Sequence, residues 1–363
     1  MVSFAGIVPI SDWGVFDEKL PRVIAGPCSA ESEEQVMQTA AALKEAGVSV
    51  FRAGLWKPRT RPGCFEGVGE AGLPWLRRVQ EETGMKVCTE VAGAKHASAA
   101  MGAGVDMLWI GARTTANPFL VEEIAETLDG ADVPVLVKNP VNPDPDLWAG
   151  AVERLLIHGI RKIAVVHRGF TDPMPGRYRN KPEWNLAVAF RMAHPELPFF
   201  CDPSHIAGDT KYVPELSQRA MDLGLDGLMV ESHCHPSCAL SDASQQLTPS
   251  ELSAMLSSLA VRSSDSENVS YKQTIGELRE RIDALDEALV ELLAKRMDVC
   301  REIGRIKKEN NISIIQTERW EKALSKVESA AVEAGLDKAY VKAVFNEIHN
   351  ASVSEQNNII ENR

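Results

Sequence analysis

Charged and metal-competent side chains recur through this chain, each at the end of a short apolar run. Arg22-Val23-Ile24-Ala25-Gly26-Pro27 runs into Cys28-Ser29-Ala30-Glu31. Later runs end in Lys57-Pro58-Arg59-Thr60, Thr89-Glu90, Arg113, Lys138, His167-Arg168, Asp202-Pro203-Ser204-His205 and Glu231-Ser232-His233. One arginine in such a place reads as a rim salt bridge. Several basic groups converging on one mouth read as an anion site, with Arg forks and Lys point charges suited to phosphate. Cys28, His205, Glu231 and Asp242 mix soft and hard donors. That set suits a borderline divalent ion (manganese, iron, zinc or cobalt) better than calcium. Their spacing carries no local metal signature, and Cys28 alone reads as an inert core thiol. Only a fold that gathers the run ends can unite them.

The elements that would do so alternate. Strands are expected at about 22–28, 48–54, 86–91, 106–112, 133–139, 162–169, 198–203 and 227–232. Helices are expected at about 33–46, 73–84, 94–104, 116–128, 146–159, 183–193, 212–223 and 249–260. Most of these helices end near a glycine: Gly47, Gly84, Gly104, Gly130, Gly159, Gly224. Eight strand–helix units predict an α/β fold, a (β/α)8 TIM barrel, with chemistry at the C-terminal strand ends. Gly67-Val68-Gly69-Glu70-Ala71-Gly72 matches a dinucleotide fingerprint, but it does not join a strand to a helix with an acid about 20 residues on. It is expected to be a flexible loop at the barrel mouth. The ligands of His233-Cys234-His235-Pro236-Ser237-Cys238 are too crowded for a zinc finger. His96, His158 and His194 are expected at the surface.

The chain has 363 residues, enough for two domains, with 44% hydrophobic and 25% charged residues. A net charge of −12 argues against a nucleic-acid surface. Seven scattered cysteines argue for free thiols in a reducing compartment. No leader pattern and no apolar run of about 18 residues is present, so a cytoplasmic location without a membrane span is expected.

The motifs Gly26 to Glu31, Phe51-Arg52-Ala53-Gly54 through Lys57-Pro58-Arg59-Thr60, Ile110-Gly111-Ala112-Arg113, Asp202 to His205 and Met229-Val230-Glu231-Ser232-His233 resemble short type I 3-deoxy-D-arabino-heptulosonate 7-phosphate (DAHP) synthases. The resemblance implies condensation of phosphoenolpyruvate with erythrose 4-phosphate. Cys28, His205, Glu231 and Asp242 would hold the metal, manganese first. Arg113, Lys138 and Arg168 would bind phosphoenolpyruvate, and Lys57 would reach both substrates. Arg59 and Thr60 would take the erythrose phosphate. Glu90 would sit by the attacking water. The sister family, KDO-phosphate synthase, shares the barrel but lacks the Lys-Pro-Arg-Thr stretch. Two positions depart from the pattern: Asn139-Pro140 follows Lys138 where Arg-Gly is usual, and His167 precedes Arg168 where Glu is common.

Residues 1–262 are assigned to the barrel and polar residues 263–270 to a linker. Residues 271–363 are assigned to an all-α three-helix domain that dimerises. From Ile275, apolar residues recur at Leu278, Ile282, Leu285, Leu289, Leu292, Val299, Ile303 and Ile306, predicting a helix of roughly 35 residues that packs along a partner. Two further helices are expected near 317–334 and 337–357. At roughly 100° per residue, Lys307 lies about 20° from Arg296 and Arg279 about 100° off. The plain reading of Arg296 is a seam cation that fixes dimer register. Leu278 to Asp283, Ala294-Lys295-Arg296-Met297, Gly304 to Lys307, Arg319 and Ser352 through Gln356 resemble the all-helical chorismate mutases. That resemblance implies a homodimer converting chorismate to prephenate. Arg279 (from the partner), Arg296, Arg319 and Ser352 would anchor substrate, and Lys307 and Gln356 would contact the ether oxygen. The family has acids where Gln316 and Trp320 stand, which leaves Glu321 as the nearest substitute. The alternative is a synthase whose helical tail is a non-catalytic dimerisation or effector module. Only about 20 residues precede the first strand, so feedback is expected to enter through the tail.

Overall fold

The computed structural model describes residues 4–17, 21–59, 63–174, 176–263, 265 and 267–361. Eight strands pair in parallel and in sequence order, and the last closes on the first. They are β1 (Arg22–Gly26), β2 (Val50–Arg52), β3 (Lys86–Val91), β4 (Met107–Ile110), β5 (Val135–Lys138), β6 (Ile163–His167), β7 (Phe199–Cys201) and β8 (Gly227–Glu231). Side chains alternate across each strand. In β4, Met107 and Trp109 point into the barrel while Leu108 and Ile110 meet the helices. Both faces are therefore apolar, which is why the strands read as continuous hydrophobic runs. Ile24, Val50, Cys88, Leu136, Val166, Phe200 and Met229 join the inner layer. Trp13 and Phe16, in the segment before β1, pack beneath that layer, with Phe16 5.7 Å from the Phe200 ring.

The outer helices are α1 (Glu33–Glu45), α2 (Leu73–Thr83), α3 (Ala94–Gly102), α4 (Ala112–Thr115), α5 (Pro118–Thr127), α6 (Pro145–Ile157), α7 (Trp184–Ala193), α8 (Pro203–Ala207), α9 (Val213–Asp222) and α10 (Pro249–Ser258). Local chemistry starts and stops them. Ser32 and Asp144 accept bonds from first-turn amides of α1 and α6. Gly84 closes α2 at φ +69°, a conformation that costs a residue with a Cβ. α4 and α8 were not expected as separate elements. Each is a single short turn at a strand exit, too brief for periodicity to register.

Three other expectations are corrected. Gly69–Gly72 forms a 3-10 turn leading into α2, with the Gly69 amide bonded to the Leu55 carbonyl, so this stretch is docked. His96, His158 and His194 are half-buried: His96 stacks on Trp56, His158 reaches Glu122, and His194 packs on Phe4 and Phe190. Residues 269–270, assigned to the linker, are helical.

The chain divides into two compact units, 1–264 and 265–363. The second comprises α11 (Val269–Glu309), α12 (Thr317–Glu333) and α13 (Lys338–Glu361). The Asn268 side chain caps α11 by accepting from the Tyr271 amide, so a polar residue that reads as linker starts the helix. α13 packs on both α11 and α12. At Gly304 an added Cβ would come within 3.3 Å of Gln356, which sets how closely α11 approaches α13. Leu278, Ile282, Leu285, Leu289 and Leu292 are 45–65% exposed. No helix among the described residues is long and apolar enough to cross a membrane.

Candidate active sites

In the barrel, β1 and β8 are neighbours, with Gly26 opposite Glu231. The residue types at their exits therefore meet although they lie far apart in sequence. The donor atoms of Cys28, Glu231 and Asp242 lie within 4.8 Å of one another. Cys28 Sγ is 3.4 Å from Asp242 Oδ2. His205, carried by α8, places Nε2 3.8 Å from Glu231 Oε1 and Nδ1 2.8 Å from Asp202 Oδ2. A carboxylate behind an imidazole is the arrangement that orients a histidine ligand. One thiol, one imidazole and two carboxylates fit a borderline divalent ion by donor chemistry.

The surrounding charges are paired. Arg52, fully buried, bonds Glu231 Oε1 at 3.0 Å, and Gln245 donates to Oε2 at 2.7 Å. Arg179 lies 3.0 Å from Asp242 Oδ1. Burial opposes ionisation of Glu231 and Asp242, but His205 with Arg52 and Arg179 holds both below the usual carboxylate range. Burial pushes the Cys28 thiol up to about 12, with Glu231 adding to the effect, so the thiol carries its proton at neutral pH. Burial likewise lowers the His205 pKa, against the pull of the Asp202 and Glu231 carboxylates.

The basic groups line one cleft above these donors: Lys57, Arg59, Arg113, Lys138 and Arg168, with Glu90, Arg179, His205 and Asp242. Lys57 Nζ donates to the Cys28 carbonyl at 3.1 Å and lies 3.8 Å from Glu90. Lys138 Nζ donates to Asp202 at 2.6 Å. Arg168 is held by Asn139 through its amide and by Asn180 through its guanidinium, at 2.7 and 2.9 Å. Burial lowers Arg168 to about 10, which leaves it charged at neutral pH. Arg59 donates to the Phe65 carbonyl at 2.9 Å, and Thr60 lies outside the described residues. A Cβ at Gly111 would stand 2.1 Å from Glu90 Oε1, so a larger residue there would displace the Glu90 carboxylate.

The sequence reading did not assign Arg52, Arg179, Asp202 or Gln245. Arg52 and Asp202 sat inside quoted motifs without a role. Arg179 and Gln245 lie in loops where no period marks them. Among the described residues, the Cys28, Glu231 and Asp242 group is the one cluster of three or more donors, so His233 to Cys238 form no second centre.

In the helical unit, Arg296 and Lys307 are both half-buried. Arg296 Nη1 donates to Ser352 on α13 and lies 3.7 Å from Cys300 Sγ. Lys307 Nζ donates to the Ile314 carbonyl at 2.6 Å. Gln356 is buried, and its Oε1 has no partner among the described residues. Arg279 and Arg319 are exposed and stand outside this group. Trp320 stacks on His349, with centroids 3.8 Å apart and 14° between the planes. Glu321, the expected substitute acid, is exposed.

A closed parallel barrel with a basic, metal-competent mouth, followed by a three-helix unit, defines a class of (β/α)8-barrel proteins with a helical extension. The chain belongs to the DAHP synthetase I family, whose model matches residues 16–265. Residues 278–357 match the chorismate mutase type II family, so the chain carries both domains. It is 36% identical over 225 residues to a phospho-2-dehydro-3-deoxyheptonate aldolase of Thermotoga maritima, covering 62% of this chain and 64% of the relative, just under two thirds of its length. It is 30% identical over 254 residues to a 2-dehydro-3-deoxyphosphooctonate aldolase of Nitratidesulfovibrio vulgaris, covering 66% and 90%. A crystal structure of the Thermotoga maritima phospho-2-dehydro-3-deoxyheptonate aldolase (DAHP synthase) superposes with a TM-score of 0.61 at 32% identity, covering 68% of this chain and 70% of that one.

Proposed function

We propose that this chain is a bifunctional enzyme of the shikimate route in the cytoplasm. Its barrel would condense phosphoenolpyruvate with erythrose 4-phosphate, and its helical unit would convert chorismate to prephenate. The observation that carries the first activity is the single cleft in which six lysine and arginine side chains stand over the Cys28, Glu231 and Asp242 donors. In the reaction, C3 of phosphoenolpyruvate bonds to the aldehyde carbon of the sugar. Water adds at C2, and the C2–O bond to phosphate breaks. Arg113, Lys138 and Arg168 hold the phosphate and carboxylate of phosphoenolpyruvate. Lys57, tethered to the Cys28 carbonyl, reaches toward both substrates. Arg59 and Thr60 hold the erythrose phosphate, and Glu90 orients the water. Cys28, His205, Glu231 and Asp242 would hold a divalent cation, manganese first, which would supply Lewis acidity to the aldehyde.

The second activity needs no covalent intermediate, only a folded dicarboxylate and stabilised charge on the breaking C–O bond. Arg296 and Ser352 anchor a carboxylate, while Lys307 and Gln356 face the ether oxygen. Arg279 enters from the partner of a homodimer formed along α11. Arg319 supports the anionic end. Feedback enters through this unit, with prephenate or chorismate as the effector.

The test is phosphoenolpyruvate consumption with erythrose 4-phosphate, with and without manganese, alongside chorismate turnover. Metal-dependent consumption and chorismate turnover are expected. Preference for arabinose 5-phosphate would move the barrel to the sister activity. Synthase activity without chorismate turnover would reduce the tail to an effector module.

A further inference from the structure

His349 has no role in the reading above, and this inference rests on that reading of the helical unit. α13 carries His349, Ser352 and Gln356 within about 60° of arc, so the three share one face. Ser352 takes Arg296, and Gln356 presents the buried, unpartnered Oε1. His349 lies flat against Trp320 of α12. A stacked imidazole uses its face for the contact and keeps both nitrogens on its free edge. Neither nitrogen makes a hydrogen bond among the described residues, although the ring is half-buried. Burial, then the charge of Arg296, lowers its affinity for a proton, so the ring is neutral near pH 7. It then offers one donor and one acceptor. Glu321 lies about 100° round α12 from Trp320 and is exposed, off this face.

We propose that His349, held flat against Trp320, is a substrate-binding residue of the helical site, where its ring edge contacts the hydroxyl of the hydroxylated dicarboxylate. Trp320 is the positioning residue that acts through it. The pair supplies by stacking what an acid on α12 would supply by charge. A neutral ring edge beside Arg296 adds no negative charge to a pocket that must take a dianion.

The test is chorismate turnover by the full chain, with kcat and KM separated. His349→Leu should raise KM about tenfold, the loss of one hydrogen bond, with kcat within about threefold. His349→Gln keeps a donor and an acceptor and should stay within about threefold of the parent KM. Trp320→Phe keeps an aromatic face and should resemble the parent. Trp320→Leu should raise KM, and adding it to His349→Leu should cause no further loss. An unchanged KM in His349→Leu overturns the proposal. Equal impairment in His349→Leu and His349→Gln also overturns it, since that marks a packing residue. Arg296→Ala separates the two levels. If it abolishes turnover while His349→Leu is silent, this inference alone fails. If the parent chain neither turns over chorismate nor binds prephenate, the reading beneath it fails as well.

Discussion

Single residues in the barrel mouth carry distinguishable work. Arg59→Ala should raise KM for erythrose 4-phosphate about tenfold or more and leave KM for phosphoenolpyruvate nearly unmoved. Arg113→Ala should do the reverse, so steady-state kinetics in both substrates sorts the two anion sites. His167 sits behind this machinery, buried with neither ring nitrogen hydrogen-bonded to a side chain, at van der Waals range of Phe170 and Trp184. Burial holds its pKa at about 4, against 6.5 when unfolded. Between those values the unfolded chain binds a proton that the folded chain refuses. Stability therefore falls as pH drops from about 6.5 to 4, by up to about 3 kcal/mol. Urea titrations of His167→Gln should show a shallower loss across that window, and an identical slope would refute the assignment. The first-rank residues were legible because residue type and position agree: a cation or thiol after an apolar run needs no structure to draw notice. Arg179 and Gln245 were not, because their reach to Asp242 and Glu231 is set by loop paths that leave no periodic trace.

At the scale of elements, legibility followed burial. Strands buried on both faces read clearly, and helices with one apolar stripe read to within a few residues. What escaped was short or ambiguous. α4 and α8 are single turns, yet they carry Arg113 and His205, and so they set the height of both groups over the donors. Asn268 belongs equally to linkers and to helix caps, and only the bond from the Tyr271 amide decides. α11 makes the strongest element-scale prediction. A stripe from Leu278 to Leu292 that is about half exposed is a large apolar surface for one chain to leave in water. With Leu285 and Leu289 both changed to Lys, dimer affinity should fall at least about 100-fold. Sedimentation should then show a smaller species at micromolar concentration. An unchanged mass would remove α11 as the interface. Chorismate turnover should fall together with the dimer, because Arg279 is exposed in its own chain and is available to a neighbour's pocket.

At the scale of the whole molecule, two units on one chain predict linked behaviour. Saturating prephenate should slow phosphoenolpyruvate consumption several-fold, and Arg296→Ala should relieve that slowing while sparing uninhibited synthase activity. Equal rates with and without prephenate would leave the units energetically independent. The barrel has a separate consequence, which comes from the pairing of its first strand with its last. Cys28 and Asp242 are 214 positions apart, and Glu231 is contributed by the closing strand. No fragment of the barrel can present this trio before the ring is complete. A cation gripping it would act as a clasp on a very long loop, of the kind whose closure the chain must achieve late and against its entropy. During refolding, manganese uptake should trail the recovery of helical signal and coincide with the last burial of tryptophan. The ion would then report the moment at which the two ends of the domain find each other.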